Sequence, residues 1–260
     1  MSAQRQTLTV MPLHFTSEYR RWREFYLSLG LRSTEADHPM ATVLAAGSGQ
    51  LMLAEMEPGD ALEGVQLVEF MVSDVQAHAD ALQAAGVSCQ QVRLLHRNGP
   101  SLAVDLPQGR VHIGPAMTSA GAADFDPAVL NIGALLYCPA ETVRPGAETL
   151  AQYGLTPRIA SDNGGWTDLV GHGVFAFHEG AIRTVDHEAP GQPVVQVFGE
   201  TGDVAELCRQ LEARGVEATV IDEAYGRSLR IMQPDGTHLQ FNETMQDLYG
   251  YQRLSSASAD

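Results

Sequence analysis

Apolar positions recur along this chain in two rhythms, a two-residue period over short runs and a three-to-four-residue period over longer ones. Residues 7 to 16 alternate as a strand, and residues 17 to 30 carry Tyr19, Trp22, Phe25, Tyr26 and Leu29 at helical spacing. Strands fit 40 to 46, 50 to 56 and 66 to 72. Asp74 then stands where a carboxylate accepts from the first turn of a helix, and Gly86 where a left-handed terminus suits glycine. Strands near 90 to 95, 101 to 106 and 110 to 114 complete a pattern of strand, helix and short strands that occurs twice.

The second half repeats the first. Gly30-Leu31 returns as Gly154-Leu155 and AAGSGQLMLAE, ending at Glu55, returns as LVGHGVFAFHE, ending at Glu179, both at an offset of 124. VSDVQAHADALQAAGV returns as TGDVAELCRQLEARGV at an offset of 129 between Gly86 and Gly215, and LPQGRVHI returns as QPDGTHLQ at 127 between Pro107 and Pro234. Small changes in offset are loop insertions. Between the copies, Pro115 to Ala128 is rich in Ala, Gly, Ser and Pro with little apolar period. The expected organisation is an α+β chain of four βαβββ units, divided into domains 1–116 and 129–260 with a linker 117–128.

Composition narrows the partners. The 260 residues are 44% hydrophobic and 18% charged, as in a folded protein, and carry a net charge of −16 in which all sixteen cations are Arg. Such a charge argues against nucleic acid and anionic membranes. No apolar run is long enough to span a bilayer and the N-terminus lacks the order of a signal peptide, so a cytoplasmic protein is expected. Cys89, Cys138 and Cys208 are an odd, scattered set that reads as buried thiols. No dinucleotide, phosphate-loop, nucleophile-elbow or zinc-protease motif is present.

The chain resembles the vicinal oxygen chelate superfamily of glyoxalase I, bleomycin-resistance proteins and extradiol dioxygenases. FTSEYRRWREFYLSLGL from Phe15, VSDVQAHADALQAAGV from Val72 and QPDGTHLQF from Gln233 carry the resemblance, which spans nearly the whole chain. It implies two tandem domains, each a curled mixed sheet with helices outside and a ligand in the concave face. It implies no single function, since the superfamily includes lyases, dioxygenases, epimerases and drug-binding proteins.

Metal-using members place a His on the first strand of each half-cup and a carboxylate on the last. Counted from Glu18 and Asp74, the first-strand positions hold Met11 and Leu67, and PQGRVHI puts Ile113 at the carboxylate position. The corresponding positions of the second cup are Gly133, Gln196 and Gln240. Neutral amides lack the charge that a divalent ion draws on, so no cofactor is expected and no residue is assigned as a metal ligand. A divalent metal on His178 and His238, with Glu179 or Glu243 as acidic third ligand, is the alternative.

Alternation assigns the remaining faces. Val68, Phe70 and Val72 should pack on a helix, leaving Leu67, Glu69 and Met71 in the first cup with Met11, Leu13, Phe15, Gln50 and Met52. The Met11, Met52 and Met71 lining suits a flat apolar ligand or is plain core packing, and Glu69 would be a general base or a partner for a cationic ligand. The second cup should hold His178, His238, Gln196 and Gln240, with either His as a general base and Trp166 in a loop that lids the cup or packs nearby. His14 and His112 should face the helices, whereas His38, His78, His96 and His172 read as solvated. The function expected is binding of a small organic molecule or metal-independent catalysis. The alternatives are a metal-dependent lyase or dioxygenase with non-standard ligands, and a protein that sequesters a drug or metabolite. Oligomeric state is not legible.

Overall fold

Residues 5–34, 40–94, 99–180, 191–223 and 226–254 are described in a computed structural model of the chain. The first unit is β1 (Thr9–Thr16), α1 (Tyr19–Ser28), β2 (Arg32–Ser33), β3 (Ala41–Ala45) and β4 (Gln50–Glu55). The second is β5 (Gln66–Val72), α2 (Val75–Ala84), β6 (Gln90–Arg93), β7 (Pro100–Leu106) and β8 (Gly109–Pro115). The third is β9 (Asn131–Cys138), α3 (Ala140–Tyr153), β10 (Thr156–Ser161), β11 (Trp166–Gly171) and β12 (Gly173–Glu179). The fourth is β13 (Gln196–Thr201), α4 (Val204–Glu212), β14 (Ala218–Glu223), β15 (Gly226–Met232) and β16 (His238–Glu243), after which comes a further strand, β17 (Tyr251–Arg253).

Units one and two form one sheet in the order β2-β3-β4-β1-β5-β8-β7-β6, and units three and four form another in the order β14-β15-β16-β13-β9-β12-β11-β10-β17. These are the two tandem, curled sheets with helices outside that the repeats led us to expect. The repeated acids do the same job in both halves: Asp74 Oδ1 accepts from Ala77 N and Asp203 Oδ1 from Glu206 N, each at 2.9 Å. Gly86 takes φ +76° just past α2.

The outer faces of the two sheets meet. Val68, Phe70 and Val72 pack with Val75, Ala79 and Leu82 of α2, and the same cluster takes in Val143, Ala147 and Leu150 of α3 with Phe175 and Phe177 of β12. A second shared cluster joins Trp22 and Tyr26 of α1 to Val204 and Leu211 of α4. At the seam, the bridge Thr9↔His172 is matched by Ser48↔Asn131, its counterpart under the repeat. Backbones approach closely there, and a Cβ on Gly49, which has φ +85°, would lie 2.5 Å from Ile132 O of the other half. The expected linker lies along both halves: Gln50 Nε2 donates to Thr118 O and Ala120 O, and Phe125 N donates to Gly171 O.

Two histidines expected in solvent are corrected by this seam. His78 is fully buried and its Nδ1 accepts from Gln6 N at 3.2 Å. His172 is half-buried, with Nδ1 3.0 Å from Thr9 Oγ1, because the turn that carries it inserts against the other half. His38 and His96 lie outside the described residues. Among the described residues no helix is long and apolar enough to cross a membrane.

Candidate ligand-binding site

The face of the first sheet away from the helices carries Met11, Leu13, Met52, Leu67 and Met71 as one buried cluster with Val43 and Val65. Glu69 is 3% exposed there, its Cα paired with Met11 on one side and His112 on the other. His112 therefore faces this cup, not the helices, and the expectation for it is corrected. Val111 and Ile113 take the helix side. The reason is turn length: β7 and β8 close on Leu106↔Gly109, whereas β15 and β16 close on the longer loop between Met232 and His238. Counting from the PQG turn thus slips by one residue, and His112 occupies the row position that Gln240 has in the second cup.

The second sheet holds an open cavity of about 620 Å³, mouth included. Three flat side chains form one wall in a cross-strand row, Trp166 on β11 beside His178 on β12 beside Tyr137 on β9. Ring centroids are 5.5 Å apart for Trp166 and His178, edge to face, and 5.3 Å for Tyr137 and His178. The neighbouring strands add polar, uncharged groups to the lining: Gln196 from β13, then Gln240 and Asn242 from β16, with Gln240 Nε2 donating to Asn242 Oδ1 at 2.9 Å. Leu135 and Phe198 form the base, and Met245 and Tyr251 close one side. Burial raises the Tyr251 pKa, so its hydroxyl stays neutral. His178 Nδ1 lies 2.6 Å from Glu179 O. A carbonyl only accepts, so Nδ1 carries a proton, and in the neutral tautomer that this selects Nε2 is the acceptor.

Beneath Trp166 lies a buried charge network on the same face of the sheet. Arg158 donates through Nε to Asp168 Oδ1 at 2.9 Å and through Nη1 to Glu200 Oε1 at 2.7 Å, with Nη2 shared between the two carboxylates. The Phe125 ring stacks 4.5 Å from the guanidinium carbon, and Trp166 Nε1 donates to Asp168 Oδ2 at 3.4 Å. Burial raises the Asp168 pKa against the pull of Arg158, and Glu200 and Asp168 keep Arg158 charged despite its burial.

Of the residues singled out from the sequence, the fold gathers His178, Gln196, Gln240 and Trp166 at this cavity. Trp166 opens β11 instead of sitting in a loop, because it pairs directly with His178. His238 is exposed at the start of β16 and is not among the lining residues. Glu243 is taken up by Arg227, whose Nε donates to it at 2.8 Å, and Glu179 follows His178 on the opposite face of β12. Tyr137 and Asn242 were legible in principle, since each is two residues from an inward position. Tyr251 and Arg158 carried no local signal.

No protein-family model and no curated protein matches the chain. Solved structures do. The 2,3-dioxygenase LapB from Pseudomonas sp. KL28 matches with a TM-score of 0.57 at 14% identity, over 94% of this chain and 93% of that one. A catechol 2,3-dioxygenase matches at 0.56 and 13%, over 99% and 97%. Homoprotocatechuate 2,3-dioxygenase from Arthrobacter globiformis matches at 0.53 and 14%, over 98% and 83%. The chain therefore shares its fold with these dioxygenases, two tandem curled sheets with helices outside. This corrects the expectation of no cofactor, since the structures that share the fold are dioxygenases from the metal-using side of the superfamily. The residues at the family positions do not fit such an ion: Gly133, Gln196 and Gln240 supply no imidazole and no carboxylate. Among the described residues, no three His, Cys, Asp or Glu side chains are grouped to hold a metal.

Proposed function

We propose that the second cup binds a small aromatic organic molecule, in a protein built on the extradiol-dioxygenase fold. One observation carries this reading: the adjacent rings of Trp166, His178 and Tyr137 line one cavity together with the amides of Gln196, Gln240 and Asn242. A homoprotocatechuate 2,3-dioxygenase of the same fold is known in complex with 3,4-dihydroxyphenylacetate, itself a small aromatic. With Nδ1–H committed to Glu179 O, His178 Nε2 is the group suited to accept a proton from a ring hydroxyl. His238, outside the lining, is the weaker candidate for that role.

The dioxygenase neighbours favour a second reading, a metal-dependent dioxygenase or lyase with non-standard ligands, over a metal-independent one. Calorimetric titration with catechol, paired with absorbance of a ring-opened product in the presence and absence of Fe(II) or Mn(II), separates the readings. Micromolar-to-millimolar binding that is lost with Trp166→Ala supports the aromatic site. Ring opening that requires the ion and falls at least a hundredfold in His178→Ala supports the metal-dependent reading. Binding with no turnover under either condition supports sequestration, and no binding of catechol or other small aromatics removes the proposal.

A further inference from the structure

The polar groups of the second cup narrow what it takes, and this step rests on the ligand-site reading above. None of the eleven described lining residues carries a permanent formal charge, His178 being the one that titrates near neutral pH. The buried charges beneath Trp166, namely Arg158, Asp168 and Glu200, satisfy one another. Among the described residues an ionic ligand would therefore lose its water here without gaining a counter-ion. The wall offers neutral partners instead. Among the described residues Gln196 makes no side-chain hydrogen bond, the Asn242 amide donates none, and His178 Nε2 and the Tyr251 hydroxyl are likewise uncommitted.

A primary carboxamide presents its carbonyl and an N–H side by side in one plane. Its complement is another amide edge, a carbonyl next to a ring N–H, which closes two hydrogen bonds at once. A catechol edge, two hydroxyls whose strength is chelation, is a poorer match for such a group. Gln196 sits on β13 across from Leu135, and Leu135 is two residues along β9 from Tyr137, so the amide and the aromatic row border the same cavity. We infer that the second cup binds an uncharged heteroaromatic molecule with a lactam-type edge, its ring against Trp166, His178 and Tyr137 and its edge paired with Gln196.

Three probes of one size test this by calorimetry on the full chain: 2-quinolinone, its N-methyl derivative and naphthalene. The expected result is that 2-quinolinone binds at least tenfold more tightly than either of the others, and that Gln196→Leu brings the three to within about threefold. Gln196→Glu, which keeps the acceptor and removes the paired donor, should lose the same preference, with thermal melting confirming that both variants are folded. Equal affinity for 2-quinolinone and its N-methyl derivative overturns the inference while leaving an aromatic site standing. A preference that survives in both folded variants overturns the role of Gln196. No binding of any of the three rings overturns the site itself.

Discussion

The His14 imidazole lies between two aromatic rings of α1, with Nδ1 2.9 Å from the Tyr26 hydroxyl and its ring edge-on to Trp22 at 4.3 Å. Burial lowers its pKa from 6.5 to about 4, with Asp235 pulling weakly the other way. The unfolded chain thus binds this proton near pH 6.5 and the folded chain only near pH 4, so stability is full above about 6.5 and falls as the pH drops between these values. The loss should approach about 3 kcal/mol. His78 and His172, also lowered by burial, act in the same direction. Urea midpoints at pH 7.5 and pH 4.5 should differ, and His14→Gln should reduce the difference by about half or more. An unchanged difference would clear His14 of this role. Alternation was a sound guide at this scale, since it put Val68 and Phe70 on the helix side and Leu67 and Met71 in the cup. It failed at His112 because a strand face is set by pairing register, and the register depends on turn lengths that motif counting does not see.

Three strands of the second sheet are tied together inside the cup by Arg158 from β10, Asp168 from β11 and Glu200 from β13. Arg158 lies where the β10–β11 register shifts between Pro157 and Ile159, and its partners are 10 and 42 residues away in sequence. A bulge re-aims one side chain against the period of its strand, so no pattern along the chain announces this network. β17 is similar: three residues pair with the β10 edge only because the chain crosses from β16 to the far side of the sheet. Removing the guanidinium leaves two carboxylates buried without a cation, so Arg158→Met should cost about 3–5 kcal/mol. Arg158→Lys should restore only part of it, because an ammonium cannot reach two carboxylates with a planar fork. Replacing all three groups together, with Arg158→Met, Asp168→Leu and Glu200→Leu, should recover most of the loss. Chemical denaturation of the three variants checks the order, and a triple variant no more stable than Arg158→Met would contradict it.

Duplication made the architecture of the whole molecule legible, because each half carries the same acids, glycines and strand patterns at nearly constant offset. What it did not convey is that the outer faces of the two halves bury one another. The α2 and α3 faces share one core and the α1 and α4 faces another, with Phe70 and Phe175 in contact at 5.5 Å between ring centroids. Each apolar side chain of this kind contributes about 1.5–3 kcal/mol when buried, so half a dozen of them rival the whole stability of an ordinary domain, about 5–15 kcal/mol. The division into 1–116, a linker 117–128 and 129–260 is a proposal about chain boundaries, and splitting the chain there tests what holds the halves. Produced separately, 1–116 and 117–260 should each fail to give a folded monomer, while co-expression should give a 1:1 complex with native near-ultraviolet circular dichroism by light scattering on a sizing column. Gly173→Ala should weaken that complex most, since Gly173 has φ +94° and an added Cβ would sit 2.7 Å from Ile132 O and 2.9 Å from Gly49 Cα at the seam. A stable, monomeric 117–260 with a native spectrum would show instead that the second cup stands on its own core and that the shared clusters only dock two finished domains.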